Sequence, residues 1–132
     1  MEKISFDNGV REFCINDGVL RFNPADPNVY LRFSQAEEKV KVIEKELENG
    51  DRDAKALYEA DRQLKEVLGW VFGPGNDFEA IAGNVNLLAV AANGRQVIAN
   101  LLSALEPVLA QGVEESIRLQ IAAAREKRTA RK

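Results

Sequence analysis

Residues 71–83 read VFGPGNDFEAIAG, and how this stretch is read decides the fold. Three glycines and a proline this close together either cradle a phosphate, as in parallel-sheet nucleotide-binding folds, or turn the chain between helices. A phosphate loop requires G-x-x-x-x-G-K-[ST], because the lysine and hydroxyl complete the contacts that the backbone amides begin. No lysine occurs between Lys65 and Lys127. The dinucleotide fingerprint G-x-G-x-x-G fails as well, since Phe78 stands where the third glycine belongs. As a joint, each residue has a role. Gly73 closes a helix in the left-handed conformation and Pro74 prevents its continuation. Asn76, three residues before Glu79, has capping-box spacing for a short helix carrying Phe78 and Ile81, which Gly83 ends. Trp70, Phe72 and Phe78 gather around this joint, either as core or as a partly exposed binding patch.

Upstream of the joint the periodicity is helical. Asp26 is placed to cap free amides and Pro27 suits a first helical position. Val29, Phe33, Ala36, Val40, Ile43 and Leu47 then recur at spacings of four and three, the seam of a helix packed on another at a shallow angle. Asn49-Gly50-Asp51 supplies a stop and a fresh cap. Leu57, Ala60, Leu64, Val67, Leu68 and Val71 form a second stripe, so residues 27–72 read as an antiparallel helical hairpin.

The first 22 residues hold two hairpin signals, Asn8-Gly9 and Asp17-Gly18. Taken as two-residue turns, they pair Ile15 with Leu20 and Phe13 with Phe22, and Ile4 with Phe13 and Phe6 with Arg11. The result is a three-stranded meander with Ile4, Phe6, Phe13, Ile15, Leu20 and Phe22 on one face. Such a sheet requires helices over that face. Beyond Gly83 the chain reads as helical again, with Val85, Leu88 and Ala92 on one face. After Asn93-Gly94 come Val97, Ile98, Leu101, Leu102, Leu105, Val108 and Leu109. Pro107 predicts a kink or restart, with Ser103 and Glu106 at capping-box spacing. Val113, Ile117 and Ile121 continue a last amphipathic segment.

The expected fold is therefore α+β and mainly α: a short N-terminal antiparallel β-meander packed on an antiparallel helical hairpin and further C-terminal helices. At 132 residues it is one domain. Its parts are the meander (1–23), the helical hairpin (27–72), the glycine-rich joint with its short helix (73–83), C-terminal helices (84–124) and a basic tail (125–132). No apolar run approaches the about 18 residues that span a bilayer, and the start lacks the apolar core of a secretory signal, so a cytoplasmic protein is expected.

The chain has no histidine and one cysteine, Cys14. Hydrolysis by Ser/His/Asp, Cys/His proteolysis and His-containing zinc sites are thereby excluded within it. The carboxylates fall on charged helix faces, and Asp51, Asp53 and Glu59 do not reproduce a calcium loop. Asp61, beside the second apolar stripe, is the one carboxylate whose position suggests burial. The composition points to a binding protein, with no catalytic residue, cofactor or metal. The tail AREKRTARK concentrates positive charge but carries no aromatic for stacking, and the acidic body would repel phosphate, which disfavours nucleic acid.

The order of these features resembles the small tail assembly chaperones of long-tailed (siphovirus-type) phages and prophages. The likeness rests on VLGWVFGPGNDFEAIAGNVNLL (67–88), where a helix ends at Phe-Gly and a glycine-containing turn leads into an Asn-containing helix start. It rests also on VLRFNPADPNVYLRF (19–33), a strand-to-helix entry. The segment AVAANGRQVIANLL departs from the pattern by its alanine content. The resemblance implies a noncatalytic function in viral morphogenesis, in the host cytoplasm. Such a chaperone binds the tape measure protein and keeps it soluble while tail tube protein polymerises around it. On this reading Val97, Leu101, Leu105, Val108, Val113 and Ile117 are the candidate partner groove, and Trp70, Phe72 and Phe78 around the joint are further partner-binding candidates. The alternative is a homo-oligomeric structural or adaptor protein using its amphipathic helices.

Overall fold

The computed structural model describes residues 1–50 and 52–130, without the side chains of 128–130. It is mainly helical with a small antiparallel sheet, in the order β1 (Arg11–Ile15), β2 (Gly18–Phe22), α1 (Pro27–Asn49), α2 (Ala54–Phe72), α3 (Phe78–Ile81) and α4 (Val97–Ala130).

The sheet has two strands, not the expected three. Residues 1–10 form no strand, and Ile4 and Phe6 are 90% and 81% exposed. Local side-chain bonding explains the difference. Asp7 Oδ1 accepts from the Gly9 amide and Asn8 Oδ1 from the Val10 amide, while Asn23 Nδ2 donates to the Asn8 carbonyl at 3.0 Å. These bonds take up the backbone groups that a ladder would use.

The β1–β2 register also differs from the expected one: Phe13 faces Leu20, Ile15 faces Gly18 and Arg11 faces Phe22. The turn is Asn16-Asp17, with Asn16 left-handed at φ 52°. Gly18 is used for close approach instead of turning, because a Cβ there would lie 2.6 Å from Ile81 Cα. The slip is two residues, which preserves the faces in a structure of period two. Leu20 and Phe22 are accordingly buried, with Phe13 and Ile15 half-buried against the core.

The helical hairpin forms as its stripes predict. Asp26 caps α1 by accepting from the Asn28 amide, ahead of Pro27 at the first position. The α2 cap is Asp53, accepting from the Ala56 amide at 2.8 Å, where the sequence suggested Asp51, a residue outside the described set. Val29, Ala36, Ile43 and Leu47 of α1 meet Ala60, Leu64, Leu68 and Val71 of α2 in the core. Arg32 Nε donates to the Val71 carbonyl and so satisfies one of the open acceptors at the end of α2.

Two further expectations are corrected. Residues 84–96 are not helical but form an ordered loop, with a small bridge between Val90 and Gln96 around Asn93-Gly94. Asparagine side chains direct it: Asn86 Oδ1 accepts from the Leu88 amide and Asn93 Oδ1 from the Arg95 amide. The loop then supplies the carbonyls of Ala89 and Leu87 to the first amides of α4, those of Val97 and Ile98. Helix α4 continues through Pro107 without restarting, over 34 residues or about 50 Å. Pro107 lies on the exposed side, opposite buried Leu101, Leu105 and Leu109. Ser103 accepts from Arg95 instead of capping.

Gly112 fixes α4 against the turn before α1, since a Cβ there would overlap the Pro24 carbonyl. Gly112→Ala is therefore expected to destabilise the fold by about 1–3 kcal/mol of overpacking. At a free helical position the same change would stabilise by about 1 kcal/mol. Thermal unfolding decides the sign, and a stabilised variant would refute this seating of α4.

Candidate functional site

The joint that opened the sequence question is a packing centre. Phe72 ends α2 and Phe78 begins α3, and both are buried. Phe72 stacks edge-on to Phe22 at 4.8 Å and lies 5.8 Å from Phe78, with Phe13 and Phe33 extending the cluster. Gly73 ends α2 where expected, its amide donating to the Gly69 carbonyl, but with φ 102° and ψ 163° it is extended on the positive-φ side and not in the left-handed helical conformation. The α3 cap is Asp77, not Asn76. Asn76 has a longer reach: its Oδ1 accepts from the Arg21 amide at 2.8 Å and its Nδ2 faces the carbonyls of Arg21, Phe72 and Gly73 at 3.0–3.2 Å. It thus pairs with the open edge of β2 and ties the sheet to the joint.

Asp61 is buried as its position suggested, 7% exposed. Its Oδ1 accepts from the Leu87 amide at 2.7 Å, and its Oδ2 accepts from Lys65 Nζ at 2.8 Å. Lys65 also donates to Glu79 Oε2 and to the Val85 carbonyl. Burial alone would lower the Lys65 pKa. The hydrogen bonds to Asp61 and Glu79, with their charges, reverse this and hold it above the ordinary value. The cluster anchors the 84–96 loop to α2 through the Leu87 amide and the Val85 carbonyl. Among the described residues no group of acidic or cysteine side chains is arranged to hold a metal ion.

What the core leaves uncovered is a face of the α1–α2 hairpin. At one end, Val42 is 57% and Trp70 41% exposed, with Val67 half-buried between them. Lys39 Nζ lies 4.0 Å from the Trp70 ring centroid, a cation–π contact. Together with Ile43, Gln63 and Glu66 these residues line a shallow cleft of about 520 Å³. Ile43 and Gln63 also line a second cleft of about 410 Å³ towards the hairpin tip. Its floor is Leu47, Ala56 and Ala60, and its rim carries Glu46, Asp53, Lys55 and Glu59. The two clefts adjoin at Ile43 and Gln63 along the seam between the helices.

The other expected partner residues divide by depth. Leu101 and Leu105 are buried in the core, and Val97 and Val108 are half-buried against it. Val113 is half-buried and Ile117 is 54% exposed. The groove expected on α4 is thus closed over its first half, where those side chains complete the core. Trp70 was legible as a candidate. Val42 was not, because it sits among charged residues between two members of the core seam.

No helix among the described residues is long and apolar enough to cross a membrane. Compared with models of known protein families, with curated proteins and with solved structures, the chain matches none.

Proposed function

We propose that this chain is a noncatalytic tail assembly chaperone of phage or prophage type, which binds the tape measure protein and keeps it soluble for assembly of the tail tube. The observation that carries the reading is the open groove along α1 and α2, with Val42, Val67 and Trp70 at one end and Ile43, Leu47 and Ala60 along its floor. A groove between two helices receives the apolar stripe of a third, whose residues at i, i+3, i+4 and i+7 fill it in turn. A tape measure is a long helical chain that presents such stripes. Trp70 is suited to be the anchor, since a large amphipathic ring gains most when a partner completes its burial. The charged rim keeps the empty groove soluble.

Co-purification with the tape measure product of a neighbouring gene, followed by titration of its helical segments, tests the proposal. The double variant Val42→Asp, Trp70→Ala is expected to weaken binding by more than tenfold. Its melting temperature should stay within a few degrees of the parent, because both side chains are substantially exposed. Unchanged binding by this variant, or no binding by the parent chain, rejects the assignment.

A further inference from the structure

The sheet has one closed edge and one open edge. On β2 the outward backbone of Arg21 is taken by Asn76, which accepts from its amide and donates to its carbonyl. Arg21 and the opposite residue Glu12 therefore exchange no ladder bonds, and by alternation neither do Val19 and Cys14. The amides and carbonyls of Glu12 and Cys14 thus point away from β2, and among the described residues no hydrogen bond outside the ladder engages them. Such an edge is a template for a further strand. A segment with strand patterning lies just ahead of it: Ile4 and Phe6 alternate with Lys3 and Ser5, and both apolar side chains are exposed. Its own chain holds this segment elsewhere. Asn23, which follows β2, donates to the Asn8 carbonyl, and a Cβ on Gly9 would meet the Asn23 side chain. The chain entering β1 is tied to the paired side of the hairpin, across the ladder from the open edge.

We infer that the open edge of β1 receives residues 3–6 of a second copy, antiparallel, and that the exchange is reciprocal. The side chains select both the occupant and its register. To keep Ile4 and Phe6 on the face of Phe13 and Leu20, the arm is set with Ile4 opposite Phe13 and Phe6 opposite Arg11. Phe6 then adjoins the Arg11 guanidinium, which already lies 5.1 Å from the Phe13 ring centroid. On the outer face Ser5 meets Glu12, and Lys3 meets Cys14 with its charge diagonal to Glu12. A slip of two residues one way sets Asp7 against Glu12, like charge on like. The opposite slip carries Phe6 past the start of β1 and leaves it uncovered. Reciprocal exchange of an identical element closes on a two-fold axis, so the product is a dimer and not a filament. None of these residues lines the α1–α2 groove, so the inference stands apart from the proposed function.

Sedimentation of the full chain from micromolar to submillimolar concentration tests it. The parent is expected to pass from monomer to dimer and to grow no further. The arm variant Ile4→Asp, Phe6→Asp and the edge variant Glu12→Pro should each weaken dimerisation about tenfold or more. The proline removes an outward amide and no ladder bond, which an edge strand tolerates. Both variants should keep the parent's circular dichroism, since the substituted positions are exposed. Cross-linking then places the arm. In a mixture of the variant Lys3→Cys, Cys14→Ser with the parent, a short bismaleimide should join the sulfur introduced at position 3 to Cys14 of the other chain. A parent that stays monomeric or assembles beyond a dimer overturns the inference. So does an arm variant that dimerises as well as the parent, or a mixture that yields no link between the two chains.

Discussion

Replacing Asp61 with alanine is expected to lower stability by about 3–5 kcal/mol, the usual cost of removing one partner from a buried ion pair. Two groups lose their acceptor. The Leu87 amide is left without its carboxylate oxygen, and Lys65, whose side chain is 10% exposed, keeps only Glu79 and the Val85 carbonyl. For a chain of this size the melting temperature should fall on the order of 10–15 °C. Asp61→Asn should cost about 1–2 kcal/mol, because a side-chain carbonyl still meets Leu87 while Lys65 loses a charge-assisted bond. Hydrogen exchange at the Leu87, Val97 and Ile98 amides separates the cases. Protection should collapse in the alanine variant and persist in the asparagine variant, since the loop held by Asp61 also caps α4. Equal effects of the two substitutions would show that the Leu87 bond carries nothing. The pH dependence has a fixed sign. Lys65 is raised above its ordinary 10.5 in the fold, so its contribution is complete below that value and is lost as pH rises through the folded pKa. The parent should therefore lose stability above about pH 10.5 more steeply than Lys65→Met does.

Elements whose order follows from apolar periodicity were legible in the sequence. The α1 and α2 stripes are core residues or, for Phe33, Val40, Leu57 and Val67, half-buried against the core, because a seam repeating every three or four positions has one low-energy partner, the adjacent helix. Elements governed by side-chain bonding to the backbone were not. Asp7, Asn8, Asn76, Asn86 and Asn93 each bond amides or carbonyls in ways that spacing does not distinguish from a cap or a hairpin turn. Thus Asn8-Gly9 joins no strand pair, and Asn86 and Asn93 hold a loop where alanine and valine suggest a helix. Gly18 and Gly112 have the same character. Each is required by the backbone of a residue distant in sequence, Ile81 or Pro24, and that contact exists only after folding. The candidate groove on α4 was half legible for a related reason: α4 has one continuous stripe, and only its packing shows that Leu101 and Leu105 are enclosed while Ile117 is open.

Asn76 offers the sharpest test of how sheet and helices are joined. Asn76→Ala is expected to cost about 2–3 kcal/mol, since it strands the Arg21 amide and removes the donor shared among three carbonyls. Asn76→Asp, the nearest isostere, should be worse at neutral pH, by about 1 kcal/mol more. Its carboxylate still accepts from Arg21 but faces the carbonyls of Arg21, Phe72 and Gly73 with no hydrogen to give. The charged form is thus disfavoured in the fold, and the folded pKa of the new carboxyl rises above the unfolded value of about 3.9. The sign follows by linkage: the added deficit is full above the folded pKa and shrinks as pH falls towards 3.9 and below, where the acid gains an O–H donor. The melting temperatures of the Asp and Ala variants should therefore converge or cross between about pH 6 and pH 3.5. The Arg21 amide should remain protected in the first and exchange freely in the second. If Asn76 were merely a helix cap, aspartate would serve as well as asparagine at pH 7. Parity between the two at neutral pH would therefore return the residue to that lesser role and leave the close approach of Gly18 to Ile81 to join the β-hairpin to α3.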